Sequence, residues 1–117
     1  FNGDHSLISK VIYSNSFSDD ETLKGIIDGF TKFNYVFDPH GCVGWLALED
    51  YRNKTKDFSE AIILETAHPA KFSDVLPKQV EYQIEMPERL KSCLTKEKKT
   101  VILSSEYQEF RDYLFSL

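Results

Sequence analysis

The residues best suited to chemistry are concentrated in two short polar segments near the middle of the chain. The first segment contains Asp38, His40 and Cys42, and the second contains His68. Carboxylate, imidazole and thiolate groups bind metals, but the spacing of these residues matches no compact zinc pattern. A Cys42–His68 pair would combine the thiol and imidazole of a cysteine nucleophile, although no supporting motif accompanies it. The residues alone therefore favour neither a metal site nor a cysteine nucleophile.

Other common catalytic motifs are absent from the sequence. There is no phosphate-binding glycine loop, no GxSxG nucleophile motif and no GxGxxG dinucleotide motif. Cys42 and Cys93 lie far apart with no CxxC pair near either, so we expect two free thiols in a reducing compartment. A membrane span needs about 20 apolar residues, and no stretch approaches that length. We therefore expect a cytoplasmic protein without a membrane partner.

The composition of the 117 residues, 41% hydrophobic and 28% charged, is that of one ordinary globular domain. The 14 Lys and Arg residues against 19 Asp and Glu residues give a formal net charge of −5. Because nucleic-acid-binding proteins usually present a basic face, this charge argues against a nucleic-acid partner. The chain opens on Phe1 rather than on methionine, and we expect it to be a piece of a longer chain.

Two helices should position the first polar segment. Ser18 and Glu21 form a capping-box pattern, and apolar residues then recur at helical spacing as far as Phe33, with Asn34 as the stop. Next, Asp38-Pro39 places an N-cap before a proline at the first helical position. This pattern predicts a second helix that ends at about residue 53.

Small residues mark faces of both helices. Gly25 and Gly29 lie inside the first helix, where each should cost about 1 kcal/mol against alanine. Either that face packs closely on a neighbour or the helix tolerates the glycines. Gly41, Gly44 and Ala47 recur three residues apart in the second helix. We expect close approach to this second face, by another helix rather than by a ligand.

The second polar segment follows the clearest strand pattern. Ala61–Leu64 is a continuous apolar run, which predicts a strand buried on both faces, with its neighbours outside this chain. Thr100–Leu103 predicts a second short strand, and Ile8–Tyr13 an edge strand or an extended lead-in. Polar residues at the carboxyl end of a buried parallel strand are where open α/β folds bind ligands. The segment after Leu64 is therefore a candidate binding site.

The remaining patterns predict short helices and one extended stretch. Residues 70–76 are weakly helical, residues 80–86 alternate as an extended segment, and residues 87–94 form a helix after a proline. A last helix should follow a cap at Ser104 or Ser105.

Three strings of the sequence resemble the threonine synthase family. Residues 38–44, DPHGCVG, are similar to the DPHTAVG segment of that family, and residues 66–72, TAHPAKF, match its TAHPAKF segment. The acidic residues 18–23 resemble the SDEET helix start that precedes them, so the resemblance covers residues 14–76. This chain departs from the family string at Gly41 and Cys42, where the family has threonine and alanine.

The resemblance implies a pyridoxal-phosphate-dependent lyase that converts O-phosphohomoserine and water to threonine and phosphate. It implies an α/β fold in which residues 1–117 form the helix-rich carboxyl-terminal part of the large, three-layer, tryptophan-synthase-β-like domain of PLP fold type II, a single incomplete domain. It places Thr66 at the cofactor ring nitrogen. It places the other matched polar residues, Asp38, His40, His68 and Lys71, at the wall of the active site.

The resemblance also implies that essential parts lie elsewhere in the parent chain. The lysine that binds the cofactor covalently and the loop that holds the cofactor phosphate both precede this region in the family. The chain should therefore be inactive alone and have the amino-terminal remainder of its own chain as partner. Two alternatives remain: an autonomous acidic protein-interaction domain without catalysis, and a degenerate threonine-synthase-like protein.

Overall fold

The computed structural model describes all 117 residues, which form two compact units, Phe1–Pro87 and Glu88–Leu117. The first unit contains α1 (His5–Ile8), α2 (Asp19–Phe33), α3 (Pro39–Thr55), a short 3-10 helix (Pro69–Phe72) and α4 (Lys78–Glu81). The second unit contains α5 (Glu88–Leu94) and α6 (Tyr107–Ser116). No residue belongs to a β-strand, and the helix-rich character expected from the sequence is confirmed. None of the helices combines the length and apolar character needed to cross a membrane.

The predicted start and stop of α2 are both confirmed. The Ser18 hydroxyl accepts a hydrogen bond from the Glu21 backbone N–H at 3.3 Å, and the Glu21 carboxylate accepts one from the Ser18 backbone N–H at 2.8 Å. Two of the free N–H groups of the helix start are thereby satisfied. Asn34 ends the helix with φ 52°, in the left-handed conformation that closes many helices.

The start of α3 is also as predicted. Asp38 is the N-cap, its Oδ1 accepts a hydrogen bond from the His40 backbone N–H at 2.9 Å, and Pro39 occupies the first position. The helix ends at Thr55, two residues later than expected, because Lys56 adopts a left-handed φ of 61°. Asp38 and its neighbours are therefore fixed in place by the helix start.

α2 and α3 pack together through the glycines of α2. An added Cβ would lie 2.8 Å from Cys42 Sγ at Gly25, and 2.7 Å from the Phe37 ring at Gly29. Close packing, one of the two possibilities left open by the sequence, thus explains both glycines. The core around this contact consists of Ile26, Val36, Phe37, Cys42, Trp45, Leu76 and Val80.

We expect Gly29→Ala to lower the free energy of unfolding of the chain by about 1 to 2 kcal/mol. The new methyl group would press on the Phe37 ring, which is stacked on Trp45 with 5.6 Å between ring centroids, and overpacking exceeds the gain in helix propensity. Urea denaturation measures this change.

Gly44→Ala is the matched control. Gly44 is exposed, and an added Cβ would meet only Ile63 at 3.7 Å, an ordinary contact. The free energy of unfolding of this variant should rise by up to about 1 kcal/mol, because alanine has a higher helix propensity than glycine. Equal effects of the two substitutions would contradict the packing described for α2 and α3.

The strand prediction at residues 61–64 is wrong for this chain. The segment is extended, but a strand requires a second strand to pair with its backbone, and no other segment of the chain does so. Ile63 packs against the core, whereas Ile62 is 89% exposed and Leu64 76% exposed. One face of the segment is therefore covered, rather than both.

The two other stretches with a strand prediction, Thr100–Leu103 and, as one of two alternatives, Ile8–Tyr13, are not strands in the structure either. Thr100–Leu103 has no strand partner, and Ile102 is 94% exposed. Ile8 ends α1, which the Asp4 side chain caps by accepting a hydrogen bond from the Ser6 backbone N–H at 2.8 Å. Residues 9–11 form a turn, and residues 12–13 belong to neither a helix nor a strand.

Two short elements differ from the sequence pattern in detail. Within the stretch predicted to be extended, residues 80–81 belong to the helical turn α4, since Pro77 precedes the turn and Val80 reaches the core with no exposed area. The weak helix predicted over residues 70–76 is the 3-10 helix Pro69–Phe72 followed by a turn.

The helices of the second unit are close to the prediction. α5 follows Pro87 and ends at Leu94 as expected. The N-cap of α6 is Glu106 rather than either predicted serine. The Ser104 hydroxyl instead accepts a hydrogen bond from the Glu106 backbone N–H at 3.3 Å, so it orders the residues just before the helix.

Candidate functional site

The two polar segments of the sequence meet beside the first turns of α3. The extended residues 63–65 lie along the helix so that Ile63 is next to Gly44 and Glu65 is next to Gly41. An added Cβ at Gly41 would lie 1.5 Å from Glu65 Oε1, inside the volume of the carboxyl group. Glycine at position 41 is therefore what allows this close approach. The expectation that another helix covers this face is wrong, since an extended segment covers it.

A pair of carboxyl groups forms the centre of this contact. Asp38 is fully buried, and its backbone N–H donates a hydrogen bond to Glu65 Oε2 at 3.3 Å. Asp38 Oδ1 lies 2.9 Å from His40 Nδ1 and also accepts the backbone N–H of His40. Asp38 Oδ2 and Glu65 Oε1 are buried, and no donor of the chain makes a hydrogen bond to either oxygen. Two such oxygens in one pocket are compatible when one proton is shared between the two groups.

The titration of the pair follows from this geometry. Burial, and then the hydrogen bond to Asp38, raises the pKa of Glu65 to about 7 from its ordinary value of 4.5. Burial acts in the same direction on Asp38, but hydrogen bonds from His40 and Glu65 outweigh it, so the pKa of Asp38 is lowered. Burial and the nearby Glu65 and Asp38 charges raise the pKa of the Tyr35 hydroxyl. The shared proton therefore belongs to Glu65, and Asp38 is the anion.

The two residues considered for nucleophilic chemistry have structural roles here. The Cys42 thiol donates a hydrogen bond to the Thr22 carbonyl at 3.3 Å, and burial, followed by the charges of Glu65 and Asp38, raises its pKa to about 12. A thiol of this kind is a weak nucleophile, because the thiolate is the reactive form. The His68 ring accepts the Ala70 backbone N–H at 3.2 Å and caps the 3-10 helix. No group of three or more His, Cys, Asp or Glu side chains is arranged to hold a metal ion.

Side chains alternate along the second segment in the manner of a strand. Glu65, which lies against α3, and Ala67 are partly buried, whereas Thr66 and His68 are exposed. The exposed row also includes the two apolar residues described above, Ile62 and Leu64. The hydroxyl-bearing Thr66 thus lies on the outer face of an apolar row, directly after the residue that contacts Asp38.

A cleft of about 410 Å³ lies next to the second segment. His68 and Pro69 form one side of it, and Tyr35 belongs to the opposite wall with the end of α2. The 3-10 helix beyond the cleft carries Lys71, which is exposed. Its last residue, Phe72, contacts the His40 ring with 5.3 Å between ring centroids. The second polar segment therefore contacts the start of α3 at two places, through Glu65 and through Phe72.

The structure brings two of the five expected site residues, Asp38 and His40, into direct contact. His40 also reaches the 3-10 helix that Lys71 belongs to. Thr66 and His68 share the exposed face of the second segment. No contact in this chain links Asp38 directly to the exposed row, because Glu65 stands between them.

Glu65 lies in the segment after Leu64 that was expected to bind a ligand, but no role was predicted for it, and Tyr35 was not predicted at all. The signal that could have found Glu65 is Gly41, since a glycine where the DPHTAVG string has threonine leaves room for a neighbouring side chain. Tyr35 has no comparable signal, because it lies in the connection between α2 and α3 and its proximity to Glu65 depends on the packing of the two helices.

Comparison with known proteins assigns the chain to a family. Residues 42–114 match the family model described as the carboxyl-terminal region of threonine synthase. The chain belongs to the threonine synthase family and corresponds to its carboxyl-terminal region. No solved structure matches it.

Curated relatives named threonine synthase support this assignment. The chain is 39% identical over 88 residues to that of Saccharomyces cerevisiae, covering 68% of this chain and 17% of the relative. It is 30% identical over 105 residues to the threonine synthase of Haemophilus influenzae, and the match covers 86% of this chain and 23% of the relative. It is 36% identical over 72 residues to the threonine synthase of Buchnera aphidicola from Schizaphis graminum, and the match covers 62% of this chain and 15% of the relative. The chain thus spans less than a quarter of the length of these relatives.

Proposed function

We propose that this chain is the carboxyl-terminal part of a pyridoxal-phosphate-dependent threonine synthase that converts O-phosphohomoserine and water to threonine and phosphate. One observation carries the proposal. The two strings shared with the family, residues 38–44 and 66–72, are far apart in the sequence but pack against each other through Glu65, Asp38 and Gly41. Such packing presents Thr66 on an exposed face, as a site shared with the rest of a larger protein requires.

The larger fold that we propose is the α/β, PLP fold type II domain, of which residues 1–117 are one incomplete part. Supporting it, the exposed row that includes Ile62 and Leu64 has strand-like alternation without a strand partner. A neighbouring strand would pair with the free backbone groups of this segment, and a layer packed on its outer face would cover the apolar side chains. The amino-terminal remainder of the same chain is the partner that would supply this strand.

The residues present fit the cofactor at one position. Thr66 offers an exposed, uncharged hydroxyl donor, and the adjacent carboxyl group of Glu65 faces away toward Asp38. In the proposed site the Thr66 hydroxyl donates a hydrogen bond to the pyridine nitrogen, and a hydroxyl leaves that nitrogen essentially unprotonated. Bound pyridoxal phosphate supplies the electron sink for elimination and replacement at the substrate.

The other residues expected at the site have supporting roles in this proposal. Lys71 and His68 follow Thr66 in the same string and are exposed, and they would attract and orient the anionic substrate. Asp38 and His40 form the buried wall behind them, because Asp38 fixes the start of α3 and His40 contacts the 3-10 helix.

The test of this function compares the full-length parent with the 117-residue chain. We expect the parent, incubated with pyridoxal phosphate, to release phosphate from O-phosphohomoserine and to form a borohydride-trappable cofactor adduct at a lysine outside residues 1–117. The chain alone should do neither, because a lysine attacks the cofactor aldehyde only as a neutral amine in a desolvated position. Lys71 is exposed, and so are the lysines of residues 96–99.

A specific adduct at one lysine of the isolated chain would show that the catalytic lysine lies here and would overturn this division of the site. A parent that binds the cofactor but releases no phosphate would instead support the degenerate threonine-synthase-like protein.

A further inference from the structure

Glu65 is placed to control the residue that follows it. Its carboxyl group lies against the first turn of α3, in the space that a Cβ at Gly41 would fill, and it accepts the backbone N–H of Asp38. Ile63, two residues earlier, packs against the core, and Ala70 is buried shortly afterwards. Between these two anchors, Glu65 is the side chain that ties the segment to the helix.

Because side chains alternate along the segment, the position of Glu65 also determines the direction of Thr66. In an extended backbone, successive side chains point to opposite faces. Because Glu65 points inward to Asp38, Thr66 must point outward, and a change in the position of Glu65 changes the direction of the Thr66 hydroxyl. A group that must donate a hydrogen bond to a cofactor is sensitive to such a change.

We propose that Glu65 is a positioning residue of the cofactor site, whose carboxyl group, sharing one proton with Asp38, holds the Thr66 hydroxyl in its outward orientation. This inference rests on the proposed function of Thr66. Glu65 touches neither cofactor nor substrate in this account, and it acts only through the next residue.

The charges around the pair determine what happens when the proton leaves. Asp38 faces Glu65 from the helix start and is already an anion, held by His40 on its other side. Tyr35 faces Glu65 from the connection before α3, and Cys42 lies in the first turn of the helix. Both of these groups are neutral, because the pKa of each is raised. Loss of the Glu65 proton therefore places two anions together and drives the carboxyl group out of its pocket.

The direction of the pH dependence follows from linkage. Folding raises the pKa of Glu65 from 4.5 to about 7, so the folded state favours the protonated form. The stabilisation from this group is fully present below 4.5 and is lost as the pH rises through about 7. Thr66 should therefore be held firmly at mildly acidic pH and less firmly in alkaline solution.

The experiment measures cofactor affinity and the cofactor absorbance spectrum of the full-length parent at pH values on both sides of about 7. Wild type is compared with Glu65→Gln and Gly41→Ala. The Gln amide keeps a donor toward Asp38 and cannot ionise, whereas the Gly41→Ala methyl group displaces the flexible end of Glu65 at every pH.

In wild type we expect affinity to fall about five- to ten-fold as the pH rises, in addition to any change common to all variants. Glu65→Gln should keep the high affinity across the range, and Gly41→Ala should keep the low one. If Glu65→Gln follows the wild-type profile, or if Gly41→Ala binds as tightly as wild type at acidic pH, the positioning role is refuted.

Thr66→Val in the same assay separates this inference from the proposed function. A Thr66→Val spectrum that differs from wild type while Glu65→Gln retains the wild-type pH profile would refute the role of Glu65 alone. An unchanged Thr66→Val spectrum would refute the contact between Thr66 and the cofactor itself.

Discussion

Replacing Asp38 with alanine should lower the free energy of unfolding by about 2 to 3 kcal/mol. The substitution removes the N-cap of α3, which is worth about 1 kcal/mol, and the buried side-chain contacts that Asp38 makes with Glu65 and His40, while the backbone N–H of residue 38 still donates to Glu65. The loss should shrink in acid, because the pKa of Asp38 is lowered from 3.8 and the carboxylate contributes less as the pH falls through that lower value. Urea denaturation at two pH values measures both effects.

Asp38→Asn is the matched control. Asparagine is as good an N-cap as aspartate, and its amide can donate a hydrogen bond to Glu65. The free energy of unfolding of this variant should therefore fall by less than about 1 kcal/mol near neutral pH. With an amide donor in place of an anion, Glu65 should also ionise at lower pH. If alanine and asparagine destabilise the protein equally, the pairing of Asp38 with Glu65 does not contribute to stability.

The second large effect is expected at Thr66 in the full-length parent. Thr66→Val keeps the shape of the side chain and removes the hydroxyl, which should cost about 1 to 3 kcal/mol where the hydrogen bond is made. Because the hydroxyl acts on the electronic state of the cofactor, we expect kcat to fall about ten- to a hundred-fold. Steady-state kinetics with O-phosphohomoserine measure this loss.

Two variants identify the cause. Thr66→Ser retains the hydroxyl and should be nearly silent. Lys71→Gln removes an exposed positive charge near the site and should raise KM for the anionic substrate with little change in kcat. A loss of thermal stability in Thr66→Val without a loss of kcat would mean that Thr66 merely packs at the end of the segment.

The two long helices, α2 and α3, were predictable because their signals are local. The Ser18–Glu21 capping box and the Asp38-Pro39 start each depend on residues within one turn, and both appear in the structure as the sequence indicates. A helix satisfies its own backbone hydrogen bonds, so a fragment can form it without partners. The apolar run 61–64 differs in this respect, since a strand needs a second strand and this chain provides none.

The two strings of the site that resemble the family could be found in the sequence, but the contact between Glu65 and the start of α3 could not. The strings at residues 38–44 and 66–72 indicate which residues matter, yet neither string includes Glu65. Its role depends on a carboxyl group that occupies the space beside Gly41, which becomes visible only when the segment and α3 are placed together. Burial of that carboxyl group is also what raises its pKa, and the sequence gives no measure of burial at a single position.

The absorbance spectrum of pyridoxal phosphate bound to the full-length parent shows whether Thr66 contacts the cofactor, because it reports the environment of the ring nitrogen without depending on turnover. We predict that Thr66→Val shifts the cofactor absorbance relative to wild type, while Thr66→Ser and Lys71→Gln retain the wild-type spectrum. A Thr66→Val enzyme with the wild-type spectrum would contradict the claim that this carboxyl-terminal segment contributes the cofactor contact.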